Sequence, residues 1–560
     1  MRFRPCSFMR ETERTFIYYT RSHELFQFIF IRVYYIYDYI EWLFLMHNLT
    51  LRIFKRFYEP KLLDAAVKVK IHCTNSLLVR HKVQIAMLND KKLRELDISM
   101  QQEMSSLSWL RTVAPAFPVN GSKITIIYKP QMFYTTLLEK CKHAKKRITF
   151  ASLYLGTGPL ETELVNVIDQ AMNRSHGNIQ VRILLDYMRG SRGKQNSRKM
   201  LEPLLKGKYG DRCKIFLYHT PKLRGVMKAT IPDRFNELIG LQHMKLYIID
   251  DDLIISGANL SNDYFTNRQD RYFVIEDCEE LCDFYNSLIE TVMEFSFLLQ
   301  SDGNTDLNSA VDCHPYKGSR KMFIQEAALK IQTLFQDEMK KRVNLDKGDA
   351  DTWIFPMVQM GQLNVYHDSE ITLKLIQSAP VGATLKLATG YFNLTFDYIQ
   401  ALLRDCQATC HLLTAHPTAN GFFNAKGIAG GIPAAYTKIE ESFYDLCEKM
   451  DQQSRITLWE FIKPGWTYHA KGLWYTLPDQ RKPSLTLIGS SNFGYRSVNR
   501  DLETQIAVVT RNGKLQNALH EEQAQLFSCA KPATRRTFLQ QDRVPPAWVC
   551  AIVLFFRYYF

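Results

Sequence analysis

Short apolar runs alternate with amphipathic stretches between Trp109 and about residue 530, and the same series occurs twice. An apolar run that ends in a polar or glycine-containing loop predicts a buried strand, and the amphipathic stretches predict helices. Their alternation in both halves predicts an α/β fold with two similar lobes. The corresponding segments are ITFASLYLGTG (148–158) and LKLATGYFNLT (385–395), VRILLDYMRGSRG (181–193) and CHLLTAHPTANG (410–421), and QHMKLYIIDDDLIISGANLS (242–261) and YHAKGLWYTLPDQRKPSLTLIGSSNFG (468–494).

The spacing of polar residues supports a true repeat. The histidines His243 and His469 are 226 residues apart, whereas the asparagines Asn259 and Asn492 are 233 apart. The seven additional residues fit a longer hairpin turn at LPDQRKPS, after which the register is constant. An acidic residue follows each asparagine by eleven positions, and these acids are Asp270 and Glu503.

This organisation divides the chain into five predicted segments. Two lobes carry the repeat, and a polar connector with a helical pattern joins them. The N-terminal segment is predicted to be a targeting or poorly defined region, and the C-terminal segment an apolar tail. The segments are 1–108, 109–300 (first lobe), 301–355 (connector), 356–530 (second lobe) and 531–560.

Both ends of the chain contain apolar runs, at 25–46 and 547–560. Charges interrupt the first run, and the second is too short to span a bilayer, so we expect any membrane contact to be peripheral. The first run fits an amphipathic interfacial helix, and acidic residues among its flanking arginines argue against a simple transit peptide. For the second run, a surface anchor and a buried terminal segment remain open.

The net charge and the cysteine content limit the binding partners and metal sites that we expect for this chain. The chain has 71 Lys and Arg residues against 57 Asp and Glu, a net charge of +14. This balance suits nucleic acid, anionic lipid or a phosphorylated substrate, or it reflects an ordinary solvated surface. The twelve cysteines include no C-x-x-C pair and no Cys/His cluster at zinc spacing. We therefore expect reduced thiols and no structural metal.

Two histidine–lysine pairs are the strongest chemical signal. On a strand, residues i and i+2 point to the same face, so His243 projects with Lys245, and His469 with Lys471. An imidazole beside an ammonium can attack a phosphorus atom and neutralise its oxygens. One such pair is usually a solvated surface feature. Two pairs at corresponding positions predict a nucleophile and a general acid on either side of one phosphodiester.

The residues that follow each pair support this interpretation. The side-chain amides of Asn259 and Asn492 can donate hydrogen bonds to the non-bridging phosphate oxygens. The carboxylates of Asp270 and Glu503 can accept a hydrogen bond from an imidazole, which fixes its tautomer and orientation. Because the amides and acids occur in both halves at one spacing, we predict that they support the two histidines.

The sequence resembles a known family. HMKLYIID fits the H-x-K-x-x-x-x-D motif of the phospholipase D superfamily, with His243, Lys245 and Asp250 in the three positions. Between about residues 109 and 530 it is similar, more closely, to the eukaryotic mitochondrial phosphatidylglycerophosphate synthases (CDP-diacylglycerol–glycerol-3-phosphate 3-phosphatidyltransferases). The segments that carry the resemblance are ASLYLGTGPLE, RGSRG, HTPKLRG, RFNELIGLQHMKLY, SGANLSNDYFTNRQDRY, HPYKG, TGYFNLT, GIAGGIPAAY, HAKGLW and IGSSNFGYRSVNRDLETQIA.

The resemblance implies a fold and a set of catalytic residues. It implies two phospholipase D-like α/β/α lobes related by pseudo-twofold symmetry, with one active site at their interface. The second motif, HAKGLWYTLPD, has Thr476 where the first has Asp250, so only the first half carries the full triplet. We accordingly assign His243 as the nucleophile and His469 as the general acid, assisted by Lys245 and Lys471.

The resemblance also implies a reaction. CDP-diacylglycerol would be the donor and sn-glycerol 3-phosphate the acceptor, giving phosphatidylglycerophosphate and CMP through a phosphatidyl-histidine intermediate. This is the committed step toward phosphatidylglycerol and cardiolipin. The implied location is the mitochondrion, peripheral on the inner membrane, with contact to an anionic membrane and no nucleic acid partner. No metal or cofactor is expected to be required.

Two further sets of residues are weaker candidates. An anionic acceptor needs cations beyond the motif lysines, although each candidate taken singly is more often a solvated loop charge. The strand end at 151–158 has a Gly-Thr-Gly turn whose N–H groups can cradle a phosphate of CDP or of a regulatory ATP, or it is simply a tight turn. The candidate cations are Arg189, Arg192, Lys222, Arg224, Arg268, Arg271, Arg496 and Arg500, and the candidate nucleotide loop is Ala151, Ser152, Leu153, Tyr154, Leu155, Gly156, Thr157 and Gly158.

Two alternative functions remain open from the residues. The superfamily contains phosphodiesterases that hydrolyse lipids or nucleic acids, and a basic chain suits DNA. However, the basic residues cluster at the motifs and do not interleave with aromatic residues along a groove. A non-catalytic membrane scaffold is the second alternative, because the second motif lacks its aspartate.

Overall fold

The first half of the repeat forms a nine-stranded mixed sheet. Its strands are β2 (Ile124–Ile127), β3 (Arg147–Ala151), β4 (Gln180–Asp186), β5 (Cys213–Tyr218), β6 (Leu246–Ile249), β7 (Asp252–Ser256), β9 (Tyr272–Ile275), β10 (Phe297–Leu299) and β11 (Thr305–Leu307). Their order across the sheet is β11-β10-β5-β4-β3-β6-β7-β9-β2. Strands β3, β4 and β5 are parallel, and β6 runs antiparallel to β3.

The second half forms another nine-stranded sheet. Its strands are β1 (Phe117–Val119), β12 (Thr352–Met360), β13 (Thr384–Ala388), β14 (Thr409–Ala415), β15 (Ile456–Phe461), β17 (Gly472–Thr476), β18 (Leu485–Gly489), β19 (Leu502–Thr510) and β20 (Ala530–Ala533). Their order is β1-β12-β19-β18-β17-β13-β14-β15-β20. The central order 5-4-3-6-7-9 of the first sheet recurs here as 15-14-13-17-18-19, which confirms the predicted two-lobed α/β repeat.

The computed structural model describes residues 105–559 apart from 175–177, 207–208, 233–235, 309, 311–312 and 344–349. The predicted N-terminal targeting region and its apolar run therefore lie, up to residue 104, outside the described residues. The helices are α1 (Pro130–His143), α2 (Pro159–Arg174), α3 (Tyr187–Gly190), α4 (Ser197–Leu205), α5 (Gly225–Thr230), α6 (Asn262–Thr266), α7 (Glu279–Glu294), α8 (Arg320–Lys341), α9 (His367–Gln377), α10 (Phe396–Gln400), α11 (Ile432–Lys449), α12 (Tyr495–Asn499), α13 (Gly513–Ser528), α14 (Arg535–Phe538) and α15 (Ala547–Phe556).

The strands that carry the motifs are buried on both faces. In β6, Leu246 and Ile248 belong to a core cluster that continues into the second sheet, whereas Tyr247 and Ile249 pack in a cluster on the other face. The first cluster joins side chains of α7 and α8 to those of both sheets. Because this core crosses from one lobe to the other, the lobes pack into one unit and the motif segments between them are held firmly.

The structure changes the predicted segment boundaries. Strand β1, placed in the first lobe by sequence, pairs with β12 of the second sheet. Strand β11 and the start of β12 lie within the predicted connector, which is helical mainly over α8. The C-terminal tail adds β20 to the second sheet and packs α15 near α11. Within the described residues, no helix combines the length and apolar character needed to cross a bilayer.

Candidate active site

Each histidine–lysine pair lies in an extended segment immediately before a strand. The sequence predicted both pairs on strands, but His243 and Lys245 precede β6, and His469 and Lys471 precede β17. The alternation nevertheless holds. Lys245 Nζ donates to the carbonyl of His243 at 2.7 Å, and Lys471 Nζ donates to the carbonyl of His469 at 2.9 Å.

Each catalytic histidine is paired with a carboxylate of the other lobe. His243 Nδ1 lies 2.9 Å from both carboxylate oxygens of Glu503, which is on β19 of the second lobe. His469 Nδ1 lies 2.7 Å from Asp270 Oδ2 of the first lobe. When Nδ1 donates to the carboxylate, Nε2 carries the free lone pair and the ring orientation is fixed. Each imidazole is therefore oriented by the opposite lobe, and both lie at the interface.

Backbone hydrogen bonds between the lobes explain why each carboxylate lies against the histidine of the other lobe. The amide of His243 donates to the carbonyl of Leu502 at 2.8 Å, and the amide of His469 donates to the carbonyl of Gln269 at 2.8 Å. Each of these carbonyls belongs to the residue just before an acid. Short parallel strands β8 (Arg268–Gln269) and β16 (Thr467–Tyr468) pair across the same interface. The backbone thus positions each carboxylate against the imidazole of the other lobe.

The approach of the lobes is close enough to require glycine at one position. A Cβ atom on Gly257 would lie 2.7 Å from Asp270 Oδ1 and 2.8 Å from Lys471 Nζ. A side chain there would displace the lysine of the second lobe or the acid that orients His469. The small residue after β7 is therefore part of the geometry that brings the two motifs together.

Burial sets the electrostatics of the site. Lys245 and Lys471 are almost fully buried, and burial lowers the pKa of each, most strongly for Lys245. Burial, followed by the adjacent lysine ammonium, lowers the pKa of His243 and of His469. Burial raises the pKa of Glu503 to about 7, against the opposing effect of Lys245. An arriving phosphate would favour both ammonium groups in their charged form.

The two histidines are not equivalent. Tyr264 Oη lies 3.3 Å from His469 Nε2, whereas no hydrogen bond from another described residue reaches Nε2 of His243. The His243 side chain is also more exposed, at 12% against 4%. The sequence did not identify Tyr264, because the repeat has no tyrosine at the corresponding position of the second lobe. The corresponding residue of the second lobe, Ser497, donates to Glu503 at 3.0 Å.

The two asparagines predicted to contact phosphate differ in their hydrogen bonding. Asn259 is buried, and its side-chain oxygen has no hydrogen-bond partner. The side-chain oxygen of Asn492 accepts from Thr389 Oγ1 at 3.1 Å. A buried polar atom without a partner is costly unless a ligand or water binds it. Their predicted contact with phosphate oxygens stays a prediction.

Two predicted arginines lie near the histidines, each in an ion pair with an aspartate. Arg268 pairs with Asp263 in the first lobe, and Arg496 pairs with Asp501 in the second, each at 3.1 Å. The positions correspond in the repeat, but the acid and the base are exchanged. Arg268 contributes to lowering the pKa of His469, and Arg496 to lowering that of His243. Each histidine therefore lies near an arginine of the other lobe.

Four other predicted cations make contacts within the protein, and their predicted contact with substrate stays a prediction. Arg271 is fully buried, bonds Glu522 through two nitrogens and lies over Trp474 at 3.9 Å, so it fastens the two lobes. Lys222 donates to a carbonyl of the second lobe. Arg224 donates to the carbonyl of Gly318, and Arg500 to that of Tyr558. These loop cations had no sequence feature that distinguished packing from binding.

Comparison with known proteins gives the family. Residues 137–292 match the family described as cardiolipin synthase, PLD-like domain. The mitochondrial CDP-diacylglycerol–glycerol-3-phosphate 3-phosphatidyltransferases of mouse (Mus musculus) and human (Homo sapiens) are each 43% identical over 478 residues, covering 81% of this chain and 86% and 85% of theirs. The chain belongs to this phosphatidyltransferase family. The enzyme of Saccharomyces pastorianus is 34% identical over 450 residues, or 75% of this chain and 85% of that relative.

Solved structures support the fold of the phosphatidyltransferase. The phosphatidylserine synthase of Haemophilus influenzae superposes with a TM-score of 0.62 at 19% identity, covering 80% of this chain and 96% of that chain. The family membership favours the transferase over the phosphodiesterase and scaffold alternatives. The names of the mouse and human relatives include the word mitochondrial, which agrees with the expected location.

Asp250 of the phosphatidyltransferase does not lie with the catalytic pairs. It occupies the β6–β7 turn in a left-handed conformation (φ 52°), and its carboxylate accepts from the backbone amides of residues 145–147. The turn is at the opposite end of β6 from His243. Asp250 therefore fastens this turn to the start of β3, contrary to its predicted catalytic role. Thr476 replaces it in the second motif at the end of β17, also away from the histidine.

The predicted nucleotide loop, 151–158, uses its backbone donors internally. The amides of Ser152 and Gly156 donate to carbonyls of Leu184 and Leu260. The amide of Gly158 donates to the carboxylate of Glu161 at 3.0 Å, which places negative charge at the turn. These contacts favour the tight-turn interpretation over the predicted phosphate cradle. Nucleotide binding itself stays a prediction.

One group of side chains among the described residues has the composition of a metal site. Ligand atoms of His243, Asp501 and Glu503 all lie within 4.8 Å of one another. Asp501 is already paired with Arg496, and Glu503 accepts from Ser497. The nearby Lys245 ammonium adds positive charge, which disfavours a cation here. That no metal is required stays a prediction.

Proposed function

We propose that this chain transfers the phosphatidyl group of CDP-diacylglycerol to sn-glycerol 3-phosphate through a phosphatidyl-histidine intermediate, giving phosphatidylglycerophosphate and CMP. The observation that carries the proposal is that each catalytic histidine is oriented by a carboxylate of the other lobe. Because Glu503 orients His243 and Asp270 orients His469, both imidazoles belong to one interface. A single phosphorus atom can then meet a nucleophile on one side and a general acid on the other.

In the first step, His243 attacks the phosphorus that carries diacylglycerol. A bond forms from Nε2 to phosphorus, and the bond from phosphorus to the oxygen of CMP breaks. Nε2 of His243 is the less obstructed imidazole nitrogen, which supports this assignment of the nucleophile. For this step His469 is protonated at both nitrogens, a state that the Asp270 carboxylate and the negative charge of the bound donor favour. It gives its Nε2 proton to the departing CMP, and the hydroxyl of Tyr264 lies 3.3 Å from Nε2.

In the second step, the acceptor hydroxyl attacks the phosphatidyl-histidine. His469, now neutral, takes the hydroxyl proton while the nitrogen–phosphorus bond breaks and His243 is restored. The ammonium groups of Lys245 and Lys471 offset charge on the non-bridging oxygens throughout, and the Asn259 amide can donate to one of them. Since these groups supply the positive charge, the reaction is proposed to need no metal ion.

A direct assay tests this reaction. Purified full chain is incubated with CDP-diacylglycerol in detergent micelles, labelled glycerol 3-phosphate and an excess of chelator. We expect labelled phosphatidylglycerophosphate and CMP in equal amounts. CMP released at the same rate without glycerol 3-phosphate, with phosphatidic acid as the lipid product, would instead identify a hydrolase. Loss of activity on chelation, restored by a divalent cation, would contradict the metal-free scheme.

The enzyme is further proposed to act at an anionic membrane surface through α15. The apolar residues Leu554 and Phe555 are 75% and 64% exposed, and Tyr558 follows at 55%. The ring of Tyr558 contacts Tyr495 of α12 at 4.6 Å, and α12 also carries Arg496 of the active site. Arg557 bonds Asn393 and adds positive charge. Exposed apolar and aromatic residues beside a lipid-processing site are typical of an interfacial helix.

Replacing Leu554 and Phe555 together by serine should weaken binding to vesicles. Each buried side chain contributes about 1.5–3 kcal/mol to transfer from water, so we expect at least a tenfold loss. Flotation with vesicles containing anionic lipid measures binding. Leu329→Ser on α8, at a residue 63% exposed, is the matched control. Unchanged flotation of the double variant would contradict this assignment, and binding only to a protein partner would identify α15 as a protein interface.

A further inference from the structure

Three arginines from both lobes converge on the carboxyl residue Glu237. Arg192 Nη1 lies 2.5 Å and Arg189 Nε 3.9 Å from Glu237 Oε1, and Arg496 Nη2 donates to the Glu237 carbonyl at 3.0 Å. The guanidinium carbon of Arg189 lies over the ring of Tyr154, 3.7 Å from its centre. Arginine forks arranged in this way fit the oxygens of a phosphate monoester.

This arginine cluster lies next to the nucleophile. Asp186 caps α3, and its two carboxylate oxygens accept from the amide of Arg189 at 2.8 Å and the amide of Gln242 at 3.1 Å. Gln242 is the residue before His243. In the second lobe, Arg496 bonds Asp501 and contributes to lowering the pKa of His243. An anion bound by the cluster would therefore lie beside the phosphorus that His243 attacks.

The charges of the cluster are incompletely balanced. In the ion pairs of the cluster, three guanidinium groups share two carboxylates, those of Glu237 and Asp501. Burial raises the pKa of the adjacent Asp186 carboxyl to about 8, so at neutral pH it adds little negative charge. Arg192 and Glu237 remain partly open to solvent, at 34% and 17% exposure. A carboxylate with partial access to solvent can be replaced by a ligand that carries more charge.

We propose that Arg189, Arg192 and Arg496 form the binding site for the phosphate of the acceptor, and that Glu237 occupies this site until the acceptor phosphate displaces it. The assignment rests on the proposed transfer to glycerol 3-phosphate and gives its selectivity a physical basis. A phosphomonoester dianion carries two charges and three terminal oxygens, whereas Glu237 supplies one charge. Glycerol, which has the same hydroxyl but no phosphate, gains nothing from the three arginines.

Competition between acceptors tests the assignment. The full chain and its Arg192→Ala variant are compared with glycerol 3-phosphate and with glycerol, following labelled CDP-diacylglycerol into each product. Loss of a charge-assisted arginine contact should lower kcat/KM for glycerol 3-phosphate by about tenfold to a hundredfold, and the preference over glycerol by a similar factor. Equal losses with both acceptors, or a raised KM for CDP-diacylglycerol alone, would overturn the assignment.

Two further variants keep the test decisive if Arg192→Ala folds poorly. Glu237→Gln removes the competing charge, so the KM for glycerol 3-phosphate should fall about threefold to tenfold. A rise in that KM would mean that Glu237 positions the arginines and does not compete with substrate. Arg481→Ala, at an exposed residue of the β17–β18 turn, is the matched control. If wild-type protein makes no phosphatidylglycerophosphate, the proposed function fails before any variant is compared.

Discussion

Replacing His243 by alanine is expected to lower the rate of phosphatidyl transfer by about 10⁴-fold or more, because the imidazole that forms the covalent intermediate in the proposed scheme is removed. His243 is the nucleophile in the proposed scheme, and its Nε2 receives no hydrogen bond from the described residues. The measurement is phosphatidylglycerophosphate formation under saturating substrates. Exposed His520 on α13 provides the control His520→Ala, which should keep wild-type activity.

The corresponding change at His469 separates the two roles. CMP is a stable leaving group, whereas the acceptor hydroxyl must lose a proton to attack, so His469→Ala should slow the second step more than the first. Protein incubated with CDP-diacylglycerol labelled in its phosphatidyl group is denatured at neutral pH, because acid would hydrolyse the phosphorus–nitrogen bond. We expect no label on His243→Ala protein and accumulated label on His469→Ala protein. Labelled His243→Ala protein would contradict the assignment of the nucleophile.

The internal repeat made much of this fold predictable. The constant interval of 233 residues after the hairpin turn aligned Asn259 with Asn492 and Asp270 with Glu503, and the similarity of the earlier segments aligned the strands before the turn. Period-two alternation also placed Lys245 with His243 and Lys471 with His469, although these residues precede the strands. An internal repeat helps to predict the fold because each strand or helix assigned in one lobe must also fit the corresponding segment of the other lobe.

Contacts between the lobes were not predictable in the same way. The sequence proposed Asp270 and Glu503 as imidazole partners, but only the packing of the lobes determines which acid meets which histidine. Arg271 and Asp250 belong to conspicuous motifs, yet their side chains are used in packing and in a turn. A motif shows only that a charged residue is present. The role of that residue depends on side chains that are distant in the sequence.

Replacing Glu503 by glutamine is expected to lower kcat by about 10²–10⁴-fold with little change in KM, because the amide can no longer hold and stabilise the His243 imidazole as a carboxylate does. Asp270→Asn should have a similar effect through His469. Both acids lie behind the imidazoles and do not contact substrate in the proposed scheme. The control is Glu290→Gln at an exposed position of α7. A KM effect equal to the kcat effect would indicate a disturbed binding site instead.

The pH profile distinguishes this orienting role from a general loss of packing. Burial raises the pKa of Glu503 to about 7, so below pH 7 the carboxyl is increasingly protonated and cannot accept the Nδ1 proton of His243. Activity of the wild type should therefore fall as the pH decreases through about 7. Glutamine does not titrate, so the residual activity of Glu503→Gln should lose this acidic limb, while Asp270→Asn should retain it. An unchanged acidic limb in Glu503→Gln would mean that another group controls the nucleophile.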